Sequence, residues 1–327
     1  MDTGTHFVMG IALGGLAAID PVISDSSVTA QAVMLGTILG SQAPDIDTIL
    51  KLKNNAVYIR NHRGITHSIP AVLLWPLLIS GFIFVLFPES NLLHLWLWTF
   101  LAVFLHVFVD IFNAYGTQAL RPISSRWVAL GVINTFDPFI FGIHVAGLTL
   151  WGFGFPPTYT FLTMYLFIFI YYIARFREQA LVKRAVRQQI PDARKITLSP
   201  TMRYHRWRIA VTSEKNYYVA VSENGYVTIL DTFDRIPLPE SEILHAAKAD
   251  INLAAFLSFS PVYRWEIEML EDYVEVRFID LRYRSNGFYP FVAVVHLDRN
   301  DLSIKNSFTG WIFSEAKLRK KLNLIPF

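Results

Sequence analysis

The chain has 327 residues, 53% of them hydrophobic, with a mean hydropathy of +0.36 and no cysteine. A chain this long accommodates about two domains, and the lack of cysteine excludes disulfides, thiolate-held zinc and iron–sulfur clusters, so a bound metal must use nitrogen and oxygen ligands. A net charge of +3 and a pI near 9.0 suit a membrane protein with basic cytoplasmic loops and give no argument for direct nucleic-acid binding.

The apolar residues crowd into the first half, whereas most Lys, Arg and Glu follow Tyr172. This asymmetry predicts an α-helical polytopic membrane domain followed by a small soluble, mostly antiparallel α+β domain. The expected divisions are a transmembrane domain over 1–177, a charged helical connector over 178–195 and a cytoplasmic β-rich domain over 196–327. Asp2 and His6 stand where a secretory signal would be basic, so no cleaved signal is expected.

Phe7–Ile19 and Val28–Ala43 come first. Both are near or below the spanning length, and they carry Gly10-x-x-x-Gly14 and Gly36-x-x-x-Gly40. Small residues at this spacing let helices approach closely in lipid, which predicts a short hairpin packed inside the bundle, with a re-entrant or interfacial pair as the alternative. Ile65–Phe87 and Leu92–Phe112 are each long enough to cross a hydrocarbon core of about 30 Å, with a tight turn at Pro88–Asn91. Phe139–Phe155 and Thr158–Ala174 read as another helical hairpin, broken at Pro156-Pro157. Lys51, Lys53, Arg60, Arg63, Arg121, Arg126, Arg175 and Arg177 fall on alternate connections, and the turns between carry no Lys or Arg. By the positive-inside rule, six segments then leave both termini in the cytoplasm of a bacterial inner membrane.

From about Ile196 the pattern alternates. Asn216–Ser222 and Tyr226–Asp231 flank Asn224-Gly225, a pair suited to a type I′ hairpin turn. Tyr263–Met269 and a strand from Tyr273 make a second hairpin, Phe291–Leu297 another strand, and Ser241–Phe256 a helix with Ser241 as its N-cap.

The chemistry-bearing residues gather at the ends of the apolar segments: His6, Asp45, Asp47, His62, His67, His106 and Asp110. On the path above, all lie toward the cytoplasmic face. Ionisable groups at membrane depth are costly and seldom persist without a task. His106 and Asp110, four apart, share a helix face, which Asn113 extends. Asp45 and Asp47 are two carboxylates that repel unless a cation lies between them. His62 and His67 flank Gly64, where a loop brings both rings to one centre. Taken singly, each has a plainer reading: a His–Asp hydrogen bond packing two helices, a solvated pair at a helix end, a packed histidine at a helix start. Taken together they offer up to seven N and O ligands, enough for one zinc or for a two-metal site with a bridging carboxylate; manganese and iron are the other candidates. Arg63 is the candidate to steady an anionic oxygen and Asp47 the carboxylate to accept a proton. Thr66, Asn113 and Asp137 are candidates for the shell behind the ligands, although Asp137 before Pro138 also suits a turn.

The early His6, Pro44-Asp45-Ile46-Asp47, His62-Arg63-Gly64-Ile65-Thr66-His67-Ser68 and His106-x-x-x-Asp110 together resemble the YdjM-like family of LexA-binding, inner-membrane-associated hydrolases, also described as membrane-bound metal-dependent hydrolases. The chain is most similar to the YfhP-like members, which carry a soluble C-terminal extension. The resemblance spans roughly Met1–Thr160. It implies metal-ligand roles for His6, Asp45, Asp47, His62, His67, His106 and Asp110, and it implies nothing for the residues after Glu178. The leading expectation is a hydrolase acting on an ester, a phosphoester first, of a lipid or amphipathic substrate at the cytoplasmic face. The partners are then the bilayer and that substrate. The alternative is a non-enzymatic, membrane-anchored regulatory protein that binds a protein partner through its C-terminal domain. Metal transport is the third reading, weakened by the lack of polar residues through the later helices.

Overall fold

The computed structural model describes residues 1–322. It divides into two compact units, one of residues 1–47, 62–180 and 200–204, the other of 48–61, 181–199 and 205 onward.

The first unit is helical: α1 (Thr3–Leu16), α2 (Pro21–Ser24), α3 (Ser27–Gln42), then, after the segment assigned to the other unit (with α4, Asn55–Asn61), α5 (Ile69–Leu86), α6 (Leu92–Asp110), α7 (Pro138–Gly152) and α8 (Pro157–Gln189). Polar caps fix the starts. Asp2, Ser26, Ser68, Asn91 and Asp137 each accept a backbone N–H in the first turn of the helix that follows, which satisfies donors the helix itself leaves orphaned. Among the described residues three helices, α5, α6 and α8, are long and apolar enough to cross a membrane. At 14, 16 and 15 residues, α1, α3 and α7 reach only about 21–24 Å at 1.5 Å per residue. The Gly-x-x-x-Gly patterns sit where expected. A Cβ at Gly10 would lie 2.9 Å from the Thr37 carbonyl oxygen, and one at Gly40 would lie 3.0 Å from that of Thr99. Thus α3 packs closely against α1 on one side and α6 on the other. The charged stretch after Arg177 continues α8 without a break to Gln189.

The second unit contains two four-stranded antiparallel meanders where the sequence suggested one sheet domain. The first comprises β1 (Lys195–Pro200), β2 (Arg206–Thr212), β3 (Asn216–Glu223) and β4 (Tyr226–Asp234). The second comprises β5 (Tyr263–Met269), β6 (Tyr273–Asp280), β7 (Phe291–Asp298) and β8 (Ile304–Trp311). Asn224 and Gly225 both have positive φ, as a type I′ turn demands. The single helix expected over 241–256 is two, α9 (Glu242–Lys248) and α10 (Ile251–Phe259), because Asp250 accepts the N–H groups of Asn252 and Leu253 and so starts a new helix. Ser241 caps the first of the pair. A last helix, α11 (Glu315–Lys321), closes the described chain. Residues 48–61 join this unit: Asn55 Nδ2 donates to the Thr309 carbonyl at 2.6 Å, and α4 packs on α10.

Trp207 is fully buried in the first sheet's core, where Val182, Val186 and Ile190 from the end of α8 meet Leu198, Ile209 and Val211. Trp207→Ala leaves a large void there and is expected to destabilise this unit by about 3–5 kcal/mol. Thermal unfolding of the detergent-solubilised chain, followed through its β-sheet circular dichroism, checks this; an unchanged midpoint contradicts it.

Candidate metal centre

Two 3-10 segments between helices and one long apolar helix build the site. After α3 the backbone tightens into a 3-10 segment over Ala43–Leu52, which starts at Pro44 and holds Asp45 and Asp47. Between α4 and α5, Arg63 takes a left-handed conformation (φ 57°), and a 3-10 turn over Ile65–His67 follows. A non-glycine residue in that region carries strain, which surrounding contacts must hold in place. Here the Arg63 N–H donates to Asp47 Oδ2 at 2.8 Å, and its carbonyl accepts from Gln118 N–H and the Thr117 hydroxyl. The last turn of α6 adds His106 and Asp110.

Four of the expected residues point at one spot. His67 Nε2 lies 3.7 Å from Asp45 Oδ1 and 3.5 Å from Asp110 Oδ2, and His106 Nε2 lies 3.7 Å from each of the same two oxygens. These four atoms are buried and have no hydrogen-bond partner. Buried polar atoms are rarely left so, and four together point to a missing shared ligand. All four lie within 4.8 Å of one another, less than the roughly 5.1 Å diagonal of a flat square with such edges, so the ring is puckered toward a tetrahedron. With the two remaining separations bounded at 4.8 Å, the centre lies about 2.2–2.5 Å from each atom, from the long end of zinc–oxygen and zinc–nitrogen bonds to a little beyond it. The residues therefore fit a divalent ion.

The backing is also in place. His106 Nδ1 donates to the Ser41 carbonyl at 2.6 Å, which leaves Nε2 with its lone pair toward the centre. His67 Nδ1 is 3.1 Å from the Thr66 hydroxyl, which donates in turn to Asp47 Oδ2. Burial, reinforced by the neighbouring His106, pushes the His67 pKa well below its usual value and keeps the ring neutral, as a ligand must be. Burial works to raise the Asp45 pKa, but His106 and Arg63 outweigh it and hold the carboxyl far below the usual range.

Asp45, Asp47 and His62 form a second group that shares Asp45 with the first. His62 is its most open member, its side chain 22% exposed, and its Nδ1 is 2.7 Å from Asp47 Oδ1. His6 reaches the cluster from α1. Its ring stacks on His106 with centroids 3.6 Å apart, and its Nε2 is 3.4 Å from the other oxygen of Asp110 and 3.0 Å from the Met1 amine, which also packs against Asp110. It thus flanks the four converging atoms.

Two expected roles need correction. Arg63 is buried, and its guanidinium is engaged with Asp110 Oδ2 at 3.2 Å and with the Met1 and Gly116 carbonyls, so it orients Asp110 and does not face an incoming anion. Asp137 caps α7 and accepts the Tyr171 hydroxyl at 2.8 Å; capping, the plainer reading of Asp-Pro, occupies its carboxylate. The Asn113 amide donates to Asp110 Oδ1 at 3.4 Å, while its oxygen accepts the N–H groups of Tyr115 and Gly116. The Ser41 carbonyl had no sequence signal, since a backbone acceptor leaves no mark on residue type.

Residues 1–182 match the family model described as YdjM inner membrane protein. Residues 191–233 match the YfhP middle domain and 242–322 the YfhP C-terminal alpha/beta plait domain. The chain is 61% identical over 325 residues to the "Uncharacterized protein YfhP" of Bacillus subtilis (strain 168), covering 99% of each. No solved structure matches. None of these descriptions speaks of LexA or of hydrolysis.

Proposed function

The chain belongs to the YdjM inner membrane protein family, and on that premise we propose that it is a membrane-bound, metal-dependent hydrolase cleaving a phosphoester of an amphipathic or lipid substrate at the cytoplasmic face. One observation carries the reading: Asp45 Oδ1, His67 Nε2, His106 Nε2 and Asp110 Oδ2 are buried, make no hydrogen bond and converge with edges of 3.5–3.7 Å, with only the Arg63 guanidinium against Asp110. These residues would hold a divalent ion, zinc first and manganese or iron next. Asp45 would be shared with a second ion at Asp47 and His62. Bound there, the metal would supply Lewis-acid chemistry, acidifying water and polarising a phosphoryl oxygen.

The protein's own groups supply the rest. With a single ion bound and none at His62, Asp47 would fix the His62 ring through Nδ1, so proton exchange with water or leaving group would run through Nε2. In this arrangement Asp47 acts through His62, because its oxygens are already taken by His62, Arg63 N–H and Thr66. Arg63 offsets part of the carboxylate charge and keeps Asp110 aimed inward. The cytoplasmic assignment rests on the basic residues of the connections.

Metal analysis of detergent-purified protein, paired with a panel of soluble and lipid phosphoesters, tests the proposal. About one or two zinc, manganese or iron ions per chain are expected. Hydrolysis should vanish on chelation and return with the metal. Full activity in metal-free protein would overturn the mechanism. Bound metal without turnover on any ester would favour the anchoring, regulatory reading.

A further inference from the structure

The loop between α6 and α7 contains no acidic residue from Ile111 to Phe136, yet it carries Arg121 and Arg126. Its central part is a closed excursion. Thr117 and Val128 exchange backbone hydrogen bonds at 3.1 and 2.9 Å, and Gln118 Nε2 donates to the Ser125 carbonyl across it. The excursion is fastened to the segment that supplies His62 and His67: Gln118 N–H donates to the Arg63 carbonyl at 2.9 Å, and Ile69 N–H donates to the Arg121 carbonyl at 3.1 Å.

The second of these bonds fixes the loop's level. Ile69 is the first residue of α5, a helix long and apolar enough to cross the bilayer. Arg121 therefore lies where the hydrocarbon core gives way to the headgroups. At that level the loop presents Leu120 and Ile123, 48% and 83% exposed, and the adjoining turn presents Ile65 at 67%. Bare aliphatic side chains in a loop oppose burial in water. Among the described residues neither Arg121 nor Arg126 is paired with a carboxylate. Aliphatic side chains interleaved with uncompensated arginines suit an interface with acyl chains on one side and phosphates on the other.

We propose that this excursion, with Ile65, is a lipid-recognition rim of the candidate metal centre: Leu120, Ile123 and Ile65 enter the bilayer interface, and Arg121 and Arg126 gather anionic phospholipid beside the His62–His67 turn. The substrate class is then an anionic lipid phosphoester drawn laterally from the membrane. The substrate part rests on the hydrolase reading above; the membrane contact does not.

Because the chain has no cysteine, Ile123→Cys gives a unique attachment point for a fluorophore on the full-length protein. In nanodiscs doped with nitroxide-bearing phosphatidylglycerol or phosphatidylcholine, quenching is expected with both lipids and is stronger with phosphatidylglycerol. Arg121→Gln with Arg126→Gln should remove that preference, at about fivefold per charge near an anionic surface. Ile65→Cys should behave alike. Absence of quenching at positions 123 and 65, or equal quenching by both lipids, overturns the rim. No turnover is needed for these readouts. An inactive but quenched protein therefore refutes the hydrolase reading alone, and an active, unquenched one refutes the rim alone.

Discussion

Asp110→Asn is expected to empty the candidate metal centre and to lower phosphoester hydrolysis at least 100-fold. That is the upper end of what losing a mere supporting partner costs in metal affinity or activity, about 10–100-fold, and Asp110 stands closer than that. Its side chain is fully buried, and its Oδ2 lies 3.5 and 3.7 Å from the two imidazole nitrogens it would join around an ion. An amide in its place offers a neutral oxygen or an N–H donor. Neither balances a divalent charge, and the N–H would be aimed at the ion. The substitution also strips Arg63 of a carboxylate 3.2 Å away, and leaving a buried charge uncompensated costs about 3–5 kcal/mol. Lost activity alone would therefore be ambiguous. Asp110→Glu separates the effects: it keeps the charge against Arg63 but carries the oxygens one methylene too far for the same geometry. It should melt above Asp110→Asn while its metal content falls as far. Elemental mass spectrometry on the purified variants decides the matter. Wild-type metal content in Asp110→Asn would remove the centre from where it is placed here.

How much of this was legible in the sequence differs by element. The two longest apolar runs, the Asn224-Gly225 hairpin and the cap at Ser241 are local signals, and each stands where it was read. The strands β2 and β8 were missed because Arg206–Thr212 and Ile304–Trp311 lack clean alternation; they are strands because their neighbours pair with them. The two-sheet division was hidden for the same reason. Residues 48–61 were read as part of the membrane half because they lie within it in chain order. Only a contact such as Asn55 to Thr309, across 254 positions, assigns them elsewhere. In the candidate centre, residue type and helical spacing marked His106 with Asp110, and the motifs marked Asp45 and His67. For Arg63, sequence supplies a donor's identity but not its direction, and the side chain is buried against Asp110 and two backbone carbonyls.

Gly10→Ala and Gly81→Ala are the same chemical change with opposite expected outcomes, and the difference tests how the centre is held. A methyl at Gly81 meets nothing within 4 Å, so only the helix preference of alanine over glycine acts, a gain of up to about 1 kcal/mol. A methyl at Gly10 would lie 2.9 Å from the Thr37 carbonyl oxygen and 3.0 Å from Ile38 Cα. Those atoms are backbone of α3 and cannot rotate aside, so α1 and α3 must separate, at about 1–3 kcal/mol for overpacking. Separation also reaches the centre. One helical turn before Gly10 on the same face, His6 stacks on His106. At the far end of α3, the Ser41 carbonyl fixes the His106 tautomer, and Asp45 follows four residues later. Displacing α3 therefore moves one ligand and the acceptor that orients another. Melting in detergent should fall for Gly10→Ala and hold or rise for Gly81→Ala, and metal affinity should drop about tenfold in the first variant only. Equal metal affinity in both, with Gly10→Ala clearly destabilised, would mean that the centre is held by the His62–Ser68 turn and α6 alone, with the α1–α3 contact serving only the fold.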